Sequence, residues 1–126
     1  MRALLDTVTF LWAIDSPELL SRAAASLLDD DSALLEISAL SLSEIAIKRA
    51  GGKLSFTKAQ VAEGIADLRL RVLAYSAGHA YKMFELPLHH RDAFDRQIIA
   101  QALAEGIPVV TSDRVFGAYQ GLTVIW

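Results

Sequence analysis

The 126-residue chain contains no cysteine, which excludes a disulfide framework and every metal site built from thiolates. It also lacks a long apolar run. The longest uncharged stretch, Val115–Trp126, is shorter than the roughly 18 residues that a membrane span needs. Asp6 interrupts the apolar segment that a secretory signal would require. We therefore expect a cytoplasmic protein without a membrane segment.

The chain also lacks a large excess of either sign of charge, since its net charge is −3. The net charge therefore gives no indication of nucleic-acid binding. Any affinity for nucleic acid must come from local basic patches or bound cations. Apolar residues are abundant, at 53% with a mean hydropathy of +0.34. We expect a single domain, residues 1–126, with a core buried on several faces or an apolar interface.

Short apolar runs alternate with longer segments of helical periodicity, which is the pattern of βαβ units around a parallel sheet. Capping residues such as Ser16, Thr57 and Asp92 mark helix starts, and Gly106 ends the last long helix. The pattern predicts strands at Arg2–Leu5, Ala33–Ile37, Arg71–Ala74, Ile107–Thr111 and Leu122–Ile125. It predicts helices at Thr7–Ile14, Pro17–Leu28, from a cap at Ser38 or Ser41 to Gly51–Gly52, Thr57–Leu68, from Ser76 to before Pro87, and Ala93–Glu105.

Four carboxylates fall where such a fold would bring them together. Asp6 follows the first predicted strand, and Asp113 follows the strand Ile107–Thr111. Glu44 and Asp95 lie in the first turns of predicted helices. Because ligand sites in open α/β sheets lie outside the carboxyl ends of parallel strands, we predict that these side chains face one crevice.

Several carboxylates in one pocket repel each other, and without a cation some of them would bind protons instead. Hard divalent cations with oxygen ligands relieve this repulsion. With no cysteine and no paired histidine motif, the pattern favours Mg²⁺ or Mn²⁺ over Zn²⁺. The matching chemistry is hydrolysis of a phosphodiester bond, in which metal ions activate water and stabilise the leaving oxygen.

Each carboxylate taken alone also has an ordinary structural interpretation. Asp6 could end a strand in a turn, and Glu44 could be a first-turn carboxylate favoured by the helix dipole. Asp92 is an expected N-cap, and Asp95, three positions later, could form a capping-box-like pair with it. Asp113 could cap a short helix. Spacing alone does not decide between these interpretations and a metal site.

Four segments resemble the motifs of PIN-domain toxins of the VapC type, in the same order along the chain. They are Leu4–Trp12, Ser38–Lys48, Leu86–Arg96 with its continuation Ile98–Ala102, and Val109–Asp113. Each motif is short, but the four together are specific and cover nearly the whole chain. The resemblance implies a PIN-like three-layer α/β fold, with a central, mostly parallel sheet flanked by helices.

By position, the resemblance implies that the catalytic and metal-binding residues are Asp6, Glu44, Asp95 and Asp113, with Asp6 and Asp95 as the leading direct ligands. It also implies a Mg²⁺- or Mn²⁺-dependent endoribonuclease that cleaves RNA. A homodimer is implied too, with inhibition by a small cognate antitoxin that inserts a segment near the active site. Supporting roles are expected for Asp92, Thr7, Ser112 and Arg96.

Three positions depart from the family pattern. Val8 stands where the family often has His, Ser43 where it often has Trp, and Ala93 where it often has Pro. None of these changes removes a carboxylate. They therefore bear on substrate preference and the entrance to the site more than on the chemistry.

Basic residues near the acidic set have two interpretations each. His89 and His90 are expected in structural or phosphate-contacting roles rather than in catalysis. Lys48 and Arg49 could contact phosphate or favour a helix C-terminus. Arg96 could contact phosphate or form an ion pair with a site carboxylate.

Two classes of function remain for the chain: an active ribonuclease toxin, or a catalytically inactive PIN-fold module for protein–protein interaction. Metal titration separates them. A phosphotransferase of the haloacid-dehalogenase kind needs a second Asp at Val8, and a receiver domain needs a Lys after a later strand, so both are rejected. An apolar stripe predicts core packing, with an antitoxin groove as the alternative; it comprises Leu19, Leu20, Ala23 and Leu27.

Overall fold

The computed structural model describes residues 1–126, which form a fully parallel five-stranded sheet and six α-helices. The order of strands across the sheet is β3-β2-β1-β4-β5. The predicted α/β fold with a central parallel sheet is confirmed. The strands are β1 Arg2–Leu5, β2 Leu34–Ser38, β3 Arg71–Leu73, β4 Val109–Val110 and β5 Val124–Ile125.

Side-chain caps set where the helices begin, because each cap satisfies a backbone N–H that has no partner inside the helix. Gly106 ends the last helix with φ 68°, a left-handed conformation that glycine adopts without strain. None of the helices combines the length and the apolar character needed to span a bilayer. The helices are α1 Thr7–Asp15, α2 Arg22–Leu28, α3 Ala39–Ala50, α4 Lys58–Asp67, α5 Ala77–Lys82 and α6 Ala93–Glu105.

Strand β1 lies at the centre of the sheet, between β2 and β4. Its Leu5 lies opposite Ile37 of β2 and Val110 of β4, in parallel register. Because all the strands run in the same direction, their carboxyl ends lie at one edge of the sheet. The residues that directly follow β1, β2 and β4 are therefore neighbours at that edge.

Alternating side chains of the strands build two apolar cores, one on each face of the sheet. On one face, Leu5 packs in a buried cluster with Phe10 of α1 and Ile45 of α3. On the other face, Leu4 packs with Ile98 and other residues of α6. Burial of both faces accounts for the high apolar content and leaves the carboxyl edge as the open part of the sheet.

The prediction of one continuous helix over Pro17–Leu28 is wrong. Pro17–Leu19 form a single turn of 3₁₀ helix, and Leu20 then has an extended backbone. The Ser21 hydroxyl caps α2 by accepting a hydrogen bond at 3.1 Å from the backbone N–H three residues on. Ser16 makes no capping hydrogen bond, so the second of two competing start signals begins the α-helix. Of the predicted apolar stripe, Leu20 and Leu27 pack against the core.

Candidate metal centre

Asp6 lies directly after β1, at the centre of the carboxyl edge, and its side chain is buried. Its Oδ1 accepts a hydrogen bond from Thr9 N at 2.8 Å and so caps α1. Its Oδ2 accepts a hydrogen bond from Thr111 Oγ1 at 2.6 Å. Two neighbouring segments therefore hold the Asp6 carboxylate in one orientation.

Glu44 lies in α3, which follows β2, and its carboxylate is also buried. Thr7 directly follows Asp6, and its Oγ1 lies 2.7 Å from Glu44 Oε1, so this hydroxyl connects α3 to the segment that carries Asp6. Lys48 Nζ lies 2.6 Å from Glu44 Oε2. This ion pair raises the pKa of Lys48 and gives the buried Glu44 a partner of opposite charge.

Asp92 and Asp95 lie at the start of α6. The exposed Asp92 is the N-cap, since its Oδ1 accepts hydrogen bonds from the backbone N–H groups of Phe94 and Asp95, both at 3.0 Å. The Asp95 side chain is 20% exposed, and His90 Nε2 lies 3.7 Å from its Oδ2. The Asp95 carboxylate accepts no hydrogen bond, so it is the least restrained of the acidic groups.

Asp113 follows β4 and caps a short 3₁₀ helix, Arg114–Ala118. Its Oδ1 accepts a hydrogen bond from Val115 N at 3.0 Å. Its own backbone N–H donates to Thr111 Oγ1 at 3.0 Å, and the same hydroxyl donates to Asp6. Thr111 therefore connects the two strand-end carboxylates.

The predicted carboxylates share one electrostatic environment. Burial, together with the negative charges of Asp92, Asp6, Glu44 and Asp113, raises the pKa of Asp95 to about 7. Burial also raises the pKa of Asp6, and Asp113 adds to the effect, although the hydrogen bonds to Asp6 oppose it. The fold therefore brings the segments after β1, β2 and β4 and the start of α6 to one acidic crevice.

A comparison with known families identifies the fold that carries this crevice. The model of the PIN domain family matches residues 3–122. The chain belongs to the PIN domain family. PIN domains are generally nucleases and generally use divalent metal ions. No match was found among curated proteins.

Solved structures share the PIN fold over their whole length. In VapBC2 from Rickettsia felis bound to a DNA fragment from its promoter, the matching chain is 21% identical, with a TM-score of 0.76 over 98% of this chain and 97% of that chain. DNA-bound VapBC from Salmonella typhimurium matches at 20% identity and a TM-score of 0.73, over 98% and 96%. VapBC-5 from Mycobacterium tuberculosis is a member of the VapBC family of toxin–antitoxin systems. Its matching chain is 20% identical, with a TM-score of 0.59 over 98% of this chain and 96% of that chain. At these identities the likeness establishes the fold.

The donor set of this PIN domain fits a hard divalent cation, because carboxylate oxygens are the ligands that Mg²⁺ and Mn²⁺ prefer. No three acidic or histidine side chains converge closely enough to form a ready-made cage. The Asp6 carboxylate is hydrogen-bonded to Thr111, and Glu44 is paired with Lys48. Mg²⁺ usually takes only one or two carboxylates and completes its shell with water. A cation held by one or two of these groups therefore fits the crevice.

Two side chains of this PIN domain contact site carboxylates in ways that the sequence analysis missed. Thr111 was assigned only to a strand, although a hydroxyl at a strand end two residues before Asp113 was a usable signal. Lys48 was considered for phosphate contact or for the helix C-terminus, but its ammonium pairs with Glu44. The i,i+4 spacing of the acid and the lysine on one helix was the signal for this pair.

Two of the expected supporting residues form no hydrogen bond or ion pair with a site carboxylate. Ser112 is exposed, and its side chain forms no hydrogen bond. The suggested ion pair between Arg96 and a site carboxylate is wrong. Arg96 Nη1 instead donates to Pro87 O at 2.7 Å and to Tyr119 Oη at 3.2 Å.

Proposed function

We propose that this PIN domain is a Mg²⁺- or Mn²⁺-dependent endoribonuclease and the toxin of a toxin–antitoxin pair. Its catalytic and metal-binding residues are the four crevice carboxylates, Asp6, Glu44, Asp95 and Asp113. The observation that carries the proposal is the match of the PIN family to residues 3–122, and the pKa of Asp95, which burial and the surrounding carboxylates raise to about 7, supports it. Carboxylates perturbed in this way in a cleft are typical of functional sites, and a bound cation would remove the repulsion.

Each side chain has a defined part in this proposal. A divalent cation bound in the crevice would supply activation of water and stabilisation of the leaving oxygen. Asp95, which has no hydrogen bond to break, and Asp6, whose orientation is held by Thr111, are the direct ligands. The exposed Arg91 and Arg114, next in sequence to Asp92 and Asp113, hold backbone phosphates of the RNA without reading its sequence.

An apolar groove between α3 and α4 supports an antitoxin partner. Its volume is about 920 Å³, and most of its lining residues are hydrophobic, among them Leu42, Ile45, Leu54, Phe56 and Val61. Arg49 and Lys58 also line it. An amphipathic helix could place its apolar side chains in this groove and pair its acidic side chains with Arg49 and Lys58. We propose that the antitoxin binds through such a helix.

Exposed apolar side chains around the end of α5 support the proposed homodimer. Phe84 is 88% exposed, and Tyr81 and Leu88 are exposed as well. Exposed apolar side chains mark interaction surfaces where they form a contiguous patch, and these three lie within eight positions of the chain. Sedimentation velocity of the wild type and of Phe84→Ser tests the dimer, which we expect the substitution to weaken. A wild type that sediments as a monomer at micromolar concentration contradicts it.

The deciding experiment measures cleavage of structured and unstructured RNA by purified protein with Mg²⁺, with Mn²⁺ and with chelator. Asp95→Asn and Asp6→Asn are purified in parallel, with Glu63→Gln, an exposed carboxylate of α4, as the matched control. We expect metal-dependent cleavage by the wild type and by Glu63→Gln. We expect none from the two site variants, whose circular dichroism should match the wild type.

Two outcomes oppose the proposal in different ways. Metal-dependent cleavage by both Asp6→Asn and Asp95→Asn would refute the assignment of the site. No cleavage of any RNA by the wild type, combined with no detectable Mn²⁺ binding, would favour the inactive PIN-fold interaction module.

A further inference from the structure

His90 lies between the acidic crevice and the aromatic ring of Tyr119. Its Nδ1 is 2.7 Å from Tyr119 Oη, and its Nε2 is 3.7 Å from Asp95 Oδ2. Only 16% of the His90 side chain is exposed. Among all buried side-chain nitrogen and oxygen atoms of the chain, His90 Nε2 alone has no hydrogen-bond partner in the protein. Because buried polar atoms are nearly always paired, this atom needs a physical explanation.

The hydrogen bonds behind His90 favour one of its two ring nitrogens as the carrier of the proton. Arg96 Nη1 donates to Tyr119 Oη at 3.2 Å, and a guanidinium cannot accept a hydrogen bond. The Tyr119 hydroxyl accepts from Arg96, so its own proton is available to donate to His90 Nδ1. A neutral imidazole that accepts at Nδ1 carries its proton on Nε2. In this arrangement the unpaired buried atom is an N–H donor next to the Asp95 carboxylate.

We propose that His90 is a positioning residue that orients the Asp95 carboxylate through an Nε2–H hydrogen bond, in a tautomer set by Tyr119 and Arg96. The proposal rests on the proposed function in taking Asp95 as a metal ligand. The 3.7 Å separation exceeds the 2.7–3.2 Å of a formed hydrogen bond. The Asp95 carboxylate has no other hydrogen bond to hold it away, so rotation of its side chain closes the gap.

The interaction gives His90 a role toward a site carboxylate, whereas the sequence predicts a structural or phosphate-contacting role for it. Hydrogen-bond partners of metal ligands orient those ligands, and losing one typically weakens metal affinity by about 10–100-fold. His89, the adjacent residue of the same type, is exposed and packs edge-on against the Tyr119 ring with centroids 4.7 Å apart. It forms no hydrogen bond or ion pair with Asp95 and is therefore the matched control.

The first test reads the tautomer directly by ¹⁵N NMR of histidine-labelled, metal-free protein at pH 8, above the ordinary histidine pKa of about 6.5. The chain has 3 histidines, and the His90 signals are assigned by their loss in His90→Gln. We expect a protonated Nε2 and an unprotonated Nδ1, and a mixture of tautomers in Tyr119→Phe. A proton on Nδ1 in the wild type would overturn the proposal.

The second test measures Mn²⁺ affinity by electron paramagnetic resonance, a readout independent of nuclease activity. We expect His90→Ala to bind Mn²⁺ about 10–100-fold more weakly. His90→Gln, whose amide N–H can replace Nε2–H, should recover most of the affinity, and His89→Gln should match the wild type. Circular dichroism checks that each variant is folded.

The outcomes separate this inference from the proposed function. Wild-type Mn²⁺ affinity in folded His90→Ala refutes the positioning role, and so does an equal loss in His89→Gln. Absence of Mn²⁺ binding by the wild type refutes the proposed function instead. In that event the NMR measurement of the His90 tautomer is the test of the hydrogen-bond chain from Arg96 through Tyr119 to His90.

Discussion

Replacing Asp95 by Asn should stabilise the metal-free protein, although Asp95 lies at the centre of the proposed active site. The folded protein raises the pKa of this carboxyl from the ordinary 3.8 to about 7. At about 1.4 kcal/mol per pKa unit, this corresponds to an upper limit of about 4 kcal/mol of unfavourable free energy in the charged state. Solvent screening at this partly exposed group reduces the expected gain to about 2 kcal/mol.

The stability gained by Asp95→Asn over the wild type depends on pH, in a direction set by the raised pKa of Asp95. The folded state binds this proton more tightly than the unfolded chain, so protonation stabilises the wild type. That stabilisation is fully present below about pH 4 and is lost as the pH rises through about 7. Asn does not titrate. The advantage of the variant over the wild type should therefore be near zero at acidic pH and largest at pH 8.

The assay is urea unfolding with EDTA at pH 5, 6, 7 and 8, followed by the fluorescence of Trp12 and Trp126, whose ring centroids are 5.9 Å apart. Glu63→Gln on α4 is the control, because it removes an exposed carboxylate that does not contribute to the raised pKa of Asp95. Equal stability of Asp95→Asn and wild type at pH 8, or a gain that persists unchanged at pH 5, would refute the reasoning. Added Mn²⁺ should reverse the order, since only the wild type keeps the full site.

Three further substitutions test single contacts by urea unfolding. Lys48→Ala should destabilise the metal-free protein by about 1–3 kcal/mol, because the buried Glu44 carboxylate loses its cation. Gly64→Ala should destabilise by about 1–3 kcal/mol, because a Cβ would lie 2.6 Å from Cγ2 of the stiff, β-branched Ile14. Gly78→Ala in α5 should be neutral or stabilise by up to about 1 kcal/mol, since the nearest atom would be 3.7 Å away.

Each of these substitutions has an internal control. Lys53 is exposed and forms no ion pair, so Lys53→Ala should change stability by less than about 0.5 kcal/mol. A loss in Lys53→Ala as large as that in Lys48→Ala would contradict the ion-pair argument. Similarly, an equal loss in Gly64→Ala and Gly78→Ala would contradict the packing argument, because only Gly64 is in close contact with another helix.

Much of the fold was predictable because its signals are local. Strand β1 and helices α1 and α6 have the predicted starts, since apolar runs and capping residues act within a few positions. The positions of Asp6 and Asp113 just past strand ends were readable for the same reason. The break between the 3₁₀ turn at Pro17 and helix α2 could not be predicted from the sequence. Ser16 and Ser21 are both residues that can cap a helix, and only packing selects between them.

The sequence by itself determined the parallel α/β architecture, the acidic residues at the strand ends and the start of α6, and the resemblance to PIN-domain toxins. Only the tertiary structure decided what each carboxylate contacts. Asp6 and Thr111 are 105 positions apart and meet because β1 and β4 are neighbours in the sheet. The raised pKa of Asp95 likewise depends on burial and on charges that include Asp6, Glu44 and Asp113 from three other segments. Such effects arise between residues distant in sequence, where no local pattern records them.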